Sequence, residues 1–418
     1  MSEIPVPMPS GSVPVGIPAW LSADAAQWAR ARPAGWTRPL WSVLVLLASV
    51  VWAIAVEPVP VCSEMAPCGP DWTGMVQIGL AAGLVFWLFR VPELALVAAS
   101  VLAAIVVLEE LPGASALVQV ANVAVIAALV FGWAAARERM AARRRQREAA
   151  ERSAGTRNPL PKPLSPLRRG VVPIAAGLLL CVVATGAIAQ GLRGIRADEQ
   201  HANRARSTTA EVVSRQEASL RVRTDDARRL TVNAYYPEDY RIGSTVTVLE
   251  DGTWQRLAAE PYDAFEWQML TLAAGLPGIS LLATGALARR RATALRRDPV
   301  PTLRVLERVD AEGQTWLHAA DDTSGRTPLF TCFFTSAVHE ASDPEVCDLK
   351  VCDLEVRDLE IPGGERRPHL DTRLHEAVLF GAPYDGSELL LLTTDADAHP
   401  VVLRTTGPAR PPRTRTRQ

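Results

Sequence analysis

Six apolar stretches separated by charged segments constrain this 418-residue chain more than any other feature. A helix rises about 1.5 Å per residue and the hydrocarbon core of a bilayer is about 30 Å thick, so about 20 apolar residues cross it. The sequence therefore predicts a helical membrane protein. The predicted spans are Leu40–Val56, Thr73–Phe89, Leu94–Leu108, Ala114–Ala136, Val171–Leu192 and Trp267–Ala288.

The third stretch, Leu94–Leu108, is the shortest and leaves two topologies open. Short cytoplasmic loops retain Arg and Lys, and with six spans every Arg-rich loop falls on one side. With five spans, the third segment is buried or re-entrant, and the basic block at 137–169 faces the wrong side unless the early helices invert. Six spans fit all the charges together. They predict a multi-pass protein of the cell membrane with both termini in the cytoplasm.

The predicted fold class is membrane α-helical, with six transmembrane helices and two small β-rich soluble domains. The predicted organisation is a disordered or interfacial cytoplasmic N-terminus (1–38), a four-helix transmembrane region (39–136), a basic Pro-rich cytoplasmic linker (137–170), the fifth helix (171–192), an extracytoplasmic small β domain (193–266), the sixth helix (267–288), a cytoplasmic β-rich domain (289–407) and a disordered tail (408–418). Within the N-terminus, Trp20 and Trp28 lie beside Ser22, a good N-cap. This pattern indicates either a helix on the inner leaflet or a partly ordered tail.

The predicted topology sorts the cysteines by compartment. Cys62 and Cys68 fall in the extracytoplasmic loop after the first span, where oxidising conditions favour a disulfide over two free thiols. Cys181 lies within a span and is expected to pack as a small residue. Three further cysteines lie in the cytoplasmic domain near His339, but their spacing matches no common zinc site. The sequence thus predicts no metal site and no cofactor.

Arg137 to Arg152 is predicted to continue the fourth span as a helix, and 158–166 favours extended polyproline structure. Basic side chains near the membrane attract anionic lipid head groups, which is the partner predicted for this segment besides the bilayer itself. The alternative is that these residues only fix orientation. The residues concerned are Arg143, Arg144, Arg145 and Arg147.

Alternating apolar residues between the fifth and sixth spans predict a small barrel or curled sheet. The predicted strands are Ala210–Ser214, Ser219–Thr224, Arg229–Ala234, Ser244–Leu249 and Trp254–Leu257.

A spanning helix, the strand Glu211-Val-Val-Ser, the run from Tyr240 through Gly243 to Val248 and a second helix from Trp267 follow one another here. This order resembles the small membrane-flanked β domain of an uncharacterised family of bacterial multi-pass membrane proteins. It is also similar to the soluble barrel of NfeD-like membrane proteins. The family often has Tyr-Asp-Pro where this chain has Leu-Glu-Asp-Gly at 249–252. The resemblance covers about a fifth of the chain and implies a fold and a location, but no activity.

The C-terminal region is predicted to be mainly strands, and it contains a faint internal repeat. The predicted strands are Leu303–Val309, Thr315–Ala320, Pro328–Phe334, Ala377–Phe380, Leu389–Thr394 and Val401–Thr405. Val305-Leu306, Gly313 and Asp322 recur 73 positions later as Val378-Leu379, Gly386 and Asp395, which indicates strand, tight turn, strand, turn in both copies unless the match is coincidence. Three tandem pentads at 346–360 indicate either a short solenoid or, by replication slippage, an exposed loop or edge strand.

Catalytic motifs are absent from the sequence, including phosphate loops, dinucleotide-binding glycines and nucleophile elbows. The carboxylates beside His375 and at Asp321-Asp322 are expected in surface turns, and a catalytic role for them is the alternative. The span interiors carry amides (Gln77, Gln119, Asn122) and no charge, whereas transporters usually carry an ionisable group there. The predicted function is a non-enzymatic membrane scaffold or sensor without nucleic-acid binding. A transporter, a channel or its accessory subunit, and an envelope enzyme are the alternatives.

Overall fold

The computed structural model divides the chain into two compact units. The first unit combines Met1–Gly35, Glu138–Arg169 and Leu287–Gln418, and the second combines Trp36–Arg137 and Gly170–Ala286. The residues that the structure describes are 4–9, 15–58, 62–65, 67–112, 114–161, 170–297, 299–310, 313–336, 373–395, 399–406, 409–410 and 412. The pentads at 346–360, the cysteines at 347 and 352, His339 and most of the Pro-rich stretch at 158–166 lie outside these residues.

Among the residues that the structure describes, six helices are long and apolar enough to cross a membrane, and they match the six predicted stretches. The doubtful third stretch is helical throughout Pro92–Glu110, because a π-helical turn at Val106–Glu110 continues its α-helix. Proline begins both the first and the third of the six, where its missing N–H leaves no bond unmade. With the N-terminal α1 (Ser22–Arg30), the helices are α2 (Pro39–Val56), α3 (Trp72–Arg90), α4 (Pro92–Ile105), α5 (Ala116–Ala154), α6 (Val171–Ala202) and α7 (Phe265–Arg297).

Small residues hold α6 and α7 close together in the second unit. Gly177, Ala184, Gly191 and Asp198 are buried on α6 at intervals of seven residues, the period at which two helices pack in a left-handed crossing. A Cβ added to Gly177 would lie 2.8 Å from the carbonyl oxygen of Gly278 on α7. A side chain at Gly177 would therefore clash with the backbone of α7, and glycine permits this close approach of the two helices.

A five-stranded antiparallel sheet, called here the small sheet, lies between α6 and α7 in the chain. Its order is β4-β3-β2-β5-β6, and the side chain of Gln255 on β6 donates to the carbonyl oxygen of Thr231 on β4 at 2.8 Å. This bond joins the two ends of the curled sheet. The five predicted strands are confirmed, with the bounds β2 (Arg206–Gln216), β3 (Ser219–Thr224), β4 (Arg229–Asn233), β5 (Thr245–Asp251) and β6 (Trp254–Leu257).

A second, larger sheet, called here the large sheet, forms the body of the first unit. Its order is β10-β13-β12-β11-β7-β8-β9, with β1 added beside β7. Only Phe333 separates β9 from β10, so the two ends of the sheet are consecutive in the chain and the sheet curls strongly. The strands are β1 (Arg157–Asn158), β7 (Val300–Val309), β8 (Thr315–His318), β9 (Pro328–Cys332), β10 (Phe334–Ser336), β11 (His375–Phe380), β12 (Leu390–Thr394) and β13 (Pro400–Thr405).

The internal repeat of the sequence corresponds to two three-stranded meanders that pair with each other through β7 and β11. Asp322 follows the second strand of the first meander, and Asp395 follows the second strand of the other. Each carboxylate accepts a hydrogen bond from the backbone N–H four residues later, at Arg326 and His399. The repeated aspartates therefore fix equivalent loops.

The prediction that the N-terminal tryptophans lie at a lipid surface or in a partly ordered tail is wrong. Trp20 is fully buried and Trp28 is 3% exposed, and both pack against Phe330 in the core of the large sheet. Ser22 does not cap α1; its hydroxyl donates to the carboxylate of Asp321 at 2.7 Å. A tryptophan beside a helical turn gives the same sequence pattern whether it lies at a bilayer surface or in a protein core. Here Phe330, which packs against both tryptophans, lies about 300 residues later in the chain.

Candidate functional site

The extension of α6 beyond its apolar part contacts the small sheet through a buried ion pair. The carboxylate of Asp198 lies 3.1 Å from the Arg256 guanidinium of β6, and both side chains are largely removed from water. Asp198 also accepts a hydrogen bond from the backbone N–H of Tyr262 at 3.2 Å. A buried carboxylate requires such partners, because an unpaired charge is costly away from water. Asp198 thus fixes both β6 and the segment that leads to α7.

A second contact joins the end of α6 to the hairpin between β5 and β6. Nδ1 of His201 lies 2.8 Å from the carboxylate of Asp251, and the imidazole ring stacks on Trp254 with ring centroids 5.3 Å apart. Arg204 lies 3.6 Å from the same carboxylate. These residues and the Asp198–Arg256 pair are called here the small-sheet anchor. Asp198 and His201 are three residues apart on α6, which places them on neighbouring faces of the helix, and Arg204 lies in the turn that follows the helix.

The loop between β11 and β12, residues 381–389, is called here the junction loop. It is contacted by the part of α5 from Glu138 to Ala154, called here the α5 extension, and by the part of α7 from Leu287 to Arg297. The side chain of Gln146 on α5 accepts from the backbone N–H of Asp385 at 3.2 Å. Arg291 on α7 donates to the carbonyl oxygen of Gly386 at 3.0 Å. Arg143 on α5 lies 4.0 Å from the Asp385 carboxylate. Two of the apolar helices therefore continue into direct contact with one loop of the large sheet.

The N-terminal segment reaches the same loop from α1. The indole N–H of Trp28 donates to the carbonyl oxygen of Pro383 at 2.8 Å in a buried setting. Arg32 lies over the Trp28 ring at 5.3 Å and donates to the carbonyl oxygen of Leu329. The sequence gives no signal for these contacts, since the loop has ordinary turn composition and its partners come from three distant segments.

The four arginines predicted to meet lipid have different surroundings. Arg143 is partly buried at the junction loop, whereas Arg144, Arg145 and Arg147 are exposed. Arg145 lies 2.5 Å from the Glu138 carboxylate, and Arg147 lies 2.9 Å from that of Glu151. A lipid phosphate would compete with these carboxylates for the last two side chains.

The amides within the apolar helices hydrogen-bond to the end of the third span. Gln77 donates to the Glu110 carboxylate at 3.0 Å, and Asn122 donates to the Glu110 carbonyl oxygen at 3.3 Å. Gln119 lies 3.5 Å from the carbonyl oxygen of Leu111. Asn122 thus satisfies a carbonyl group at the end of the helix that has no partner within the helix itself, whereas Gln77 binds the side chain of the same residue, Glu110.

Titratable groups are also buried in the large sheet. Asp322 accepts from the hydroxyl groups of Ser324 and Thr327; burial raises its pKa, but these hydrogen bonds prevail and hold it well below its usual range. Burial lowers the pKa of His318, whose Nδ1 lies 3.5 Å from Asp322. Burial likewise raises the pKa of the Cys332 thiol to about 12, so it stays protonated.

Asp321 and Asp322 thus hold α1 and a loop in place, as structural residues do. Within the described ranges, no group of three or more His, Cys, Asp or Glu side chains is arranged to hold a metal ion.

The fold and these contacts define a class of architecture: six apolar, membrane-length helices that carry two curled β sheets. No protein-family model, curated protein or solved structure matches the chain. The likeness to NfeD-like barrels stays a prediction.

Proposed function

We propose that this chain is a non-enzymatic membrane scaffold or sensor in which helices connect an extracytoplasmic small sheet to a cytoplasmic large sheet. One observation carries the proposal: α7 lies directly between the two sheets in the chain. The small sheet ends at Leu257, α7 occupies Phe265–Arg297, and β7 begins at Val300. The two residues between α7 and β7 have few dihedral angles that can absorb a displacement of the helix, and the seven residues before α7 are held by Asp198 through the backbone N–H of Tyr262.

The side-chain contacts at the helix ends support this reading. The small-sheet anchor ties the end of α6 to the hairpin between β5 and β6, and α6 in turn packs on α7 through glycine. Arg291 ties the other end of α7 to the junction loop. A displacement at either sheet would therefore strain contacts that the helices make.

We place the protein in the cell membrane with both termini in the cytoplasm, on the basis of the arginine distribution. The assignment of the N-terminal segment, the α5 extension and the large sheet to one compact unit supports a common side for all three. Anionic lipid is the proposed contact of Arg144, Arg145 and Arg147, worth about 1 kcal/mol per residue near such a surface. Arg143 serves the junction loop instead.

The test of the proposal is to perturb the small sheet and to observe the large one. Arg256→Ala leaves Asp198 buried without its ion-pair partner, which weakens the small-sheet anchor. In full-length protein in lipid nanodiscs, we expect backbone amides of the junction loop to exchange hydrogen about tenfold faster in this variant than in the wild type. Hydrogen–deuterium exchange with mass spectrometry measures both sheets in one experiment.

Arg223→Ala is the matched control, because Arg223 also pairs with a carboxylate on the small sheet, Glu211, but in an exposed position. Exposed pairs contribute little, so exchange in the junction loop should equal that of the wild type. Faster exchange in the small sheet of Arg256→Ala, with no change in the junction loop, would contradict the proposed function.

A further inference from the structure

The short connection between α2 and α3 contains a disulfide. Cys62 and Cys68 are bonded, with their Cα atoms 5.3 Å apart, at the positions where the sequence predicts a bridge. The bridge joins the segments that follow α2 and precede α3. Its loop also contacts the small sheet, which no pattern in the sequence indicates.

Three hydrogen bonds attach this disulfide loop to the small sheet and its exit. The backbone N–H of Cys68 donates to the carbonyl oxygen of Ala259 at 2.9 Å. The Glu64 carboxylate accepts from the N–H of Thr247 on β5 at 3.1 Å. The N–H of Cys62 lies 3.4 Å from the carboxylate of Asp239. Each of these bonds joins an atom of the disulfide loop to an atom of the region 239–259.

The position of these bonds matters because residues 258–264 connect β6 to α7. Ala259 belongs to this connecting segment, and a Cβ on Gly69 would touch Pro261 in it at 3.4 Å. β6 pairs with β5 only as far as Val248, so Glu64 takes the hydrogen bond of Thr247 just beyond the end of that pairing. The disulfide loop therefore continues the edge of the sheet and holds the chain where it enters α7.

We propose that the Cys62–Cys68 loop is a redox-sensitive latch, in which thiol–disulfide exchange with an external dithiol releases the segment that enters α7. One thiolate of the dithiol attacks a cysteine sulfur, the S–S bond breaks, and the second thiol resolves the mixed disulfide. Two cysteine thiols and one oxidised dithiol result, so two electrons pass to the protein. Cys68 is only partly buried and gives the attacking thiolate access, whereas Cys62 is 7% exposed.

Release follows from chain entropy. The disulfide restricts the loop that it closes between Cys62 and Cys68, and reduction restores the conformational freedom of this loop. The hydrogen bonds at Thr247 and Ala259 each change the population of the attached loop by about fivefold. The conformational entropy that the loop gains on reduction opposes this effect. The rest of the small sheet has its own apolar core and its own hydrogen bonds between strands, so it stays folded when the disulfide is reduced. Only the effect on the large sheet rests on the proposed function.

The test is hydrogen–deuterium exchange on the full-length protein in nanodiscs, with and without dithiothreitol. Reduction should speed exchange at Thr247, Cys68 and residues 258–264 about tenfold, while the amides of β3 and β4 keep their protection. The double variant Cys62→Ser with Cys68→Ser should reproduce the reduced state without reductant. Cys181→Ser, within α6 and free, is the matched control and should respond to reductant as the wild type does.

Unchanged exchange at Thr247 and 258–264 after complete reduction would overturn the latch. Loss of protection across β3 and β4 as well would also overturn it, because the bridge would then only stabilise the whole sheet. Local release with an unchanged junction loop would support the latch and contradict the proposed function, so the two ideas fail separately.

Discussion

Glu307 is an acidic side chain inside the large sheet. It is 4% exposed, and the hydroxyl of Thr393 on β12 donates a hydrogen bond to its carboxyl group. His375 lies opposite it on β11. Burial raises the pKa of Glu307 to about 7, and the Thr393 hydrogen bond opposes the rise. A carboxyl group in this position is neutral in mildly acidic solution and charged in alkaline solution.

The stability of the large sheet should depend on pH through this residue. Because the folded-state pKa is raised, the protonated group stabilises the fold fully below about pH 4.5, and this contribution is lost as the pH rises to about 7. The difference corresponds to about 3 kcal/mol. Glu307→Gln should remove it, so that chemical unfolding of the full-length protein from pH 5 to pH 8 shows a smaller decline in the free energy of unfolding.

Glu376→Gln is the control, since Glu376 lies on the neighbouring strand β11 and is exposed. Its pH dependence should match that of the wild type. Equal slopes for the wild type and Glu307→Gln would contradict the assignment.

The burial of Glu307 is a feature that the sequence could not predict, although the strand around it could be. Alternation along β7 indicates a strand, but Pro301, Thr302 and Leu303 are buried in succession. Both faces of β7 are covered, one by the core that contains Trp20 and the other by the core that contains Ile17. These residues belong to an N-terminal segment whose composition resembles a tail. Local patterns contain no information about which distant segment covers a face.

At the level of elements, the close contact of α6 and α7 depends on a repeat of small residues. Hydropathy predicts both spans, yet it gives glycine and alanine no special weight. The interval of seven between Gly177, Ala184 and Gly191 was readable in the sequence and indicates a packing seam. Hydropathy therefore identifies the α6 span. The repeat of small residues is a separate signal, which indicates the packing seam.

Gly177→Ala should destabilise the pair of helices, because the new Cβ would lie 2.8 Å from the carbonyl oxygen of Gly278. Overpacking of this kind costs about 1–3 kcal/mol. Gly186→Ala is the same substitution on the same helix, at a position with no atom within 4 Å of the new Cβ. Thermal unfolding in detergent should separate the two variants. Equal midpoints would show that the seam tolerates an added methyl group.

At the level of the whole molecule, the segments that the arginine distribution predicts on one side of a membrane also belong to one compact unit. The N-terminal segment, the α5 extension and the large sheet contain most arginine-rich stretches, and they form one compact unit. The small sheet and the disulfide loop belong to the other unit and contact each other there. The prediction of membrane sides from arginine depends only on the charges of the loops. The division into compact units depends only on which residues contact one another.

The orientation itself can be measured with single cysteines at Arg145 and Asp225, in a background without other cysteines. Both side chains are exposed, so their reactivity should differ only by compartment. In intact cells, a membrane-impermeant maleimide should label Asp225→Cys and should leave Arg145→Cys unlabelled until the membrane is permeabilised. The physical reason is that a short loop rich in guanidinium groups is retained in the cytoplasm, whereas the long segment between α6 and α7 is translocated largely regardless of its charge. Labelling of Arg145→Cys in intact cells would reverse the proposed sides of both sheets.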